Sequence, residues 1–138
     1  MGRPRKARES DIEEVALALP RAVMVAGWGG LPSYRVSGRF FVGYRTPRPD
    51  AVDAESGERL TDVVVFRVPD EGDKLALVQG DGPFFTTPHF DGHASVLLRL
   101  AHLGRLSRDE LAEVIVDAWR SQAAPTVVGR WEAERRDG

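Results

Sequence analysis

At 138 residues the chain has the length of one ordinary domain, enough to bury a single core. It has no cysteine, which excludes a disulfide framework, a thiolate zinc site and a thiol nucleophile, and fits a cytoplasmic setting. The net charge is −2 from 19 basic and 21 acidic residues, yet Arg3, Arg5, Lys6 and Arg8 sit together at the start, so the folded body is acidic and a uniformly basic nucleic-acid binder is excluded.

The apolar stretch after the basic start is broken by Glu13 and Glu14, so it makes no signal-peptide core, and no other segment has the apolar length of a membrane span. A soluble protein is expected, with residues 1–9 as a disordered basic arm. Ser10 and Glu13 read as a capping box, and Ile12, Val15, Ala16 and Leu19 recur at helical spacing before Pro20, which predicts a first helix over 11–19. Gly27, Gly29, Gly30 and Pro32 mark a loop into a hairpin over 33–45. A three-residue turn at Val36, Ser37 and Gly38 places Tyr34, Phe40, Val42 and Tyr44 on one inward face. The outward face then carries Arg35, Arg39, Phe41, Gly43 and Arg45.

Proline, glycine and charge dominate 46–62, the longest irregular connection. Val64, Phe66 and Val68 alternate in a third strand over 62–68, Asp70 caps a short helix with Leu75 and Val78 on one side, and 83–87 reads as a fourth strand. Val96, Leu98 and Leu100 alternate in a fifth. Ser107 and Glu110 form a further capping box ahead of the stripe Leu111, Val114, Ile115, Ala118 and Trp119, which predicts a last helix ending near Gln122. Beyond Gln122 the periodicity is lost and residues 123–138 read as a C-terminal tail, with the mixed-charge stretch from Arg130 to Gly138 expected to fray. The whole is an α+β domain over 10–122: an antiparallel sheet of about five strands with helices on one face, in the order α-β-β-β-α-β-β-α.

The stretches Pro32-Ser33-Tyr34-Arg35-Val36, Gly38-Arg39-Phe40-Phe41 and Phe85-Thr86-Thr87-Pro88-His89-Phe90-Asp91-Gly92-His93 resemble the signatures of the MmcQ/YjbR family. The resemblance covers about residues 10–122 and implies a CyaY-like or secretion-chaperone-like fold with the same element order. Members are commonly named DNA-binding because that fold is similar to a double-wing DNA-binding domain, but fold analogy does not establish function. The family brings no catalytic residues to carry over.

Three groups of residues carry chemistry. From Arg21 to Pro49 the chain holds Arg21, Arg35, Arg39, Arg45 and Arg48 and no acid, interleaved with Trp28, Tyr34, Phe40, Phe41 and Tyr44. Guanidinium groups among aromatic faces suit phosphates and unstacked bases, so the hairpin is a candidate nucleic-acid wing through Arg35, Arg39, Phe41 and Arg45. The plain alternative is that the rings are core and the arginines are solvated or paired. Gly2-Arg3-Pro4-Arg5-Lys6 is similar to part of an AT-hook, with Arg3 and Arg5 suited to a narrow minor groove, or is simply a solubilising end. His89, Asp91 and His93 have lone pairs at close spacing, but Asp91-Gly92 is also a plain turn, and polar turn residues are the expectation rather than a metal site. No phosphate loop, nucleophile elbow or cofactor motif occurs. The expectation is a non-enzymatic binding domain without cofactor whose partner is DNA, or alternatively a protein-interaction or chaperone-like module whose partner is a protein or a second copy of the chain.

Overall fold

Ile12, Val15, Ala16 and Leu19 are all buried by the helix they announce, α1 (Glu9–Ala18). The computed structural model describes residues 5–45, 56–58, 60–87, 90 and 92–137. The helix begins at Glu9 rather than at 11, because Asp11 and not Glu13 closes its first turn: the Asp11 carboxylate accepts the Arg8 amide at 2.8 Å. Arg5 explains the choice, since it donates to both Asp11 oxygens, at 2.8 and 3.1 Å, and Arg108 approaches to 3.6 Å. Residues 5–8, assigned to the basic arm on sequence grounds, are thereby tied to the body. The Ala7 amide also bonds the Leu106 carbonyl at 2.9 Å, and the Ala7 side chain is buried.

Five strands follow, β1 (Ala22–Ala26), β2 (Pro32–Val36), β3 (Arg39–Arg45), β4 (Val63–Arg67) and β5 (Ser95–Arg99), and they form one antiparallel sheet in chain order. Between the last two lies α2 (Glu71–Gln79), capped by Asp70, whose carboxylate accepts the Asp73 amide at 2.8 Å. The helices α3 (Arg108–Gln122) and α4 (Pro125–Asp137) complete the chain. This is the expected α+β architecture, with two strands exchanged. β1 was not read from the sequence, because an unbroken apolar run has no alternation. Residues 83–87 make only a bridge between Phe85 and Leu97, since Pro83 removes a ladder donor next to it.

The main core lies between the sheet and the helices. Tyr34, Val36, Phe41, Val42, Val64, Phe66, Val96 and Leu98 face Leu111, Ile115, Ala118 and Trp119 of α3. The Trp119 indole donates to the Pro20 carbonyl at 3.1 Å and pins α3 to the entry of β1. Ser107 and Glu110 cap α3 reciprocally, at 3.1 and 2.9 Å, as expected. The fraying tail is a helix instead: Trp131 of α4 meets Trp119 edge-on with ring centres 5.2 Å apart, and the Arg120 and Arg135 guanidinium groups lie over its ring.

The hairpin differs from the predicted register in one residue, and the difference relocates two rings. Its loop is the two-residue turn Ser37-Gly38, both at positive φ (52° and 77°), the geometry that follows strand twist. A β-bulge between Tyr34 and Arg35 absorbs an extra residue of β3. Phe41 and Val42 therefore both enter the helix-side core, and Phe40 turns to the other face beside Arg35. Phe41, expected among the outward arginines, is 0% exposed.

Candidate binding cleft on the open face of the sheet

The face away from the helices carries a smaller apolar cluster of Phe40, Leu60, Val63, Val65, Phe90 and Leu97. Next to it lies a cleft of about 140 Å³ lined by Trp28, Phe40, Arg45, Val65, Arg67, Phe90, His93 and Ser95. Alternation along β4 sends Val63, Val65 and Arg67 to this side, and Ser95 is the register partner of Arg67 on β5. Arg45 arrives from the end of β3 opposite Val63. A short 3-10 turn, Trp28–Gly30, brings the Trp28 ring edge-on to Phe40, with centres 4.9 Å apart. Phe40 in turn lies across Gly43, where a Cβ would come within 2.8 Å of its ring, so the glycine sets the depth at which the ring rests.

Two guanidinium groups meet these rings. Arg45 stands over both Trp28 and Phe90, at 4.8 and 5.2 Å from the ring centres, and Arg67 stands over Phe40 at 5.7 Å. The Arg67 Nη1 donates to the Ser95 hydroxyl at 3.2 Å. No carboxylate is among the described residues that line the cleft. Lys74, buried in α2, shapes the near wall: its ammonium donates to the Phe90 and His93 carbonyls at 2.7 and 2.8 Å and fixes the ends of that turn. A cavity of this size admits one ring or one phosphate-sized group, not a whole drug-sized ligand.

Of the predicted site residues that are described, Arg45 alone lines the cleft. Arg35 is half-buried, with Nη1 on the Gly38 carbonyl at 3.4 Å and a buried Nε without a hydrogen-bond partner. Arg39 is exposed, but its register partner is Val36, so it stands on the other side of the ribbon from Arg35 and Phe40. Arg5 is committed to Asp11, which excludes it from an extended arm in this conformation. Arg3 and Arg48 lie outside the described residues, as do His89, Asp91 and most of 46–62. Among the described residues no group of His, Asp or Glu is placed to hold a metal. Arg67 and Phe40 were missed. The alternation of Val63, Val65 and Arg67 against Val64, Phe66 and Val68 marks the first, whereas the bulge that turns Phe40 outward leaves no trace in the pattern.

The sequence matches the YjbR family over residues 17–121, most of the chain. The chain belongs to the YjbR family. It is also similar to the uncharacterized protein Mb2600 of Mycobacterium bovis and the uncharacterized protein Rv2570 of Mycobacterium tuberculosis, at 47% identity over 68 residues in each case. That match covers 49% of this chain and 50% of each relative, so the chain spans about half their length. No solved structure matches. No helix among the described residues is long and apolar enough to cross a membrane.

Proposed function

We propose that this YjbR-family chain is a non-enzymatic binding domain whose open sheet face takes single-stranded DNA, one phosphate at Arg45 and Arg67 and one unstacked base on Trp28. The observation that carries the reading is the pair of guanidinium groups held against three aromatic rings in one cleft. Stacking on aromatic side chains with arginine alongside is the chemistry by which single strands are bound without base readout. Duplex binding by a hairpin wing is less favoured, because Arg35 and Arg39 leave opposite faces of the ribbon and cannot grip one backbone together.

The test is fluorescence anisotropy with single-stranded and duplex oligonucleotides at two salt concentrations. One phosphate neutralised on a single strand gives a slope of log K against log salt of about −0.7. Arg67→Ala weakens binding and flattens that slope, and Trp28→Ala weakens binding by about 1–3 kcal/mol without changing the slope. Absence of binding at low salt, or affinity indifferent to both substitutions, overturns the reading. A second reading, a protein-interaction module, is favoured by the apolar edge of β1.

A further inference from the structure

The two edges of the sheet are finished differently. Along β5 the edge is partly covered, because Phe85 exchanges backbone hydrogen bonds with Leu97 at 2.9 and 2.8 Å. Along β1 nothing among the described residues pairs with the outer row beyond the Ala22 amide, which bonds Leu19. Natural edges are commonly guarded by lysine, proline or a bulge. β1 has none of these: it is Ala22-Val23-Met24-Val25-Ala26, uncharged and rich in β-branched residues. Val23, Met24 and Val25 are 53%, 49% and 39% exposed.

We infer that β1 is a self-association edge and that its occupant is β1 of a second copy, antiparallel about a two-fold axis through Met24. The strand reads the same in both directions. A two-fold interface requires a surface complementary to itself, and a palindromic strand supplies that in the simplest form. Val23 meets Val25 of the second copy, Ala22 meets Ala26, and Met24 meets Met24. Arg21, the charged residue next to the strand, falls against Gly27 of the second copy, so no like charges are opposed.

The backbone polarity agrees. Gly27 donates to the Leu31 carbonyl at 2.7 Å, in line with the β1–β2 register. By the alternation of antiparallel pairs, the amides of Val25 and Val23 face β2, and those of Met24 and Ala26 point outward. Met24 therefore exchanges a pair of backbone bonds with its mate on the axis. The valines of both copies form one apolar row on the open face. This inference is independent of the DNA reading, since β1 contributes no residue to the cleft.

Light scattering behind size exclusion over a range of concentrations tests it, with sedimentation velocity as a second measure. The expected result is a dimer that dissociates on dilution. Met24→Lys, which places two ammonium groups face to face, weakens it at least tenfold while circular dichroism stays that of the parent and melting matches the parent's at dilutions where the parent is monomeric. Because the chain has no cysteine, Met24→Cys carries its sole thiol. Mild oxidation should cross-link it faster than Val23→Cys or Val25→Cys, since on-axis Cα atoms meet at about 5.5 Å and diagonal ones at about 7–8 Å. A monomer at every concentration, a dimer insensitive to Met24→Lys, or equal cross-linking at all three positions overturns the inference.

Discussion

Asp11 is held from several sides at once, by Arg5, by Arg108 and by the Arg8 amide, and is 2% exposed. The Arg5 hydrogen bonds, aided by the Arg8 amide and by the charge of Arg108, hold its carboxyl below the ordinary value of 3.8 in spite of burial. A depressed carboxylate contributes stability that is complete above the unfolded value and is lost as pH falls through the folded one. Chemical denaturation at pH 6 and pH 3 should therefore show a smaller acid loss in Asp11→Asn than in the parent, and equal losses would refute the assignment. Asp11→Ala should cost about 1–2 kcal/mol at neutral pH, the range of a lost N-terminal cap. Ser37 illustrates the opposite case, a residue in a conformation it does not favour. Its φ of 52° is one that asparagine tolerates better, so Ser37→Asn should stabilise the hairpin by about 0.5–1 kcal/mol, read as a higher denaturation midpoint with unchanged slope.

Among the elements, those with a clean period were readable in the sequence and those defined by context were not. The stripe of α3 and its capping box, the alternation of β4 and the Asp70 cap of α2 all lie where the residues place them. α4 escaped because charge and Gly129 dilute its three buried-side residues, Val127, Val128 and Trp131, although Pro125 in its first turn is a helix-start signal. The candidate cleft was half readable: the arginine and aromatic richness of 21–49 pointed to Arg45 and Trp28, but a single bulge exchanged Phe40 for Phe41. Trp131 is the anchor of α4, so Trp131→Ala should cost about 2 kcal/mol, below the range for a fully buried tryptophan because this one is only partly buried. Hydrogen exchange should quicken over 125–137 before the sheet responds; unchanged protection there would show that α4 is held by other contacts.

For the molecule as a whole, strand order equals chain order, so each strand can pair with its predecessor without waiting for a distant one. The helix side of that sheet is closed chiefly by α3, which packs on α1, β3 and β4 and whose Trp119 reaches back to Pro20. A chain truncated after Gly104 should bind a hydrophobic dye and melt without a cooperative transition, whereas the full chain should do neither; a cooperative melt of the truncated chain would show that the sheet stands by itself. During synthesis, then, the nascent ribbon emerges with one oily side bare, and that side stays uncovered until α3 has cleared the ribosome tunnel, so slow translation of α3 prolongs exposure to chaperones and to aggregation.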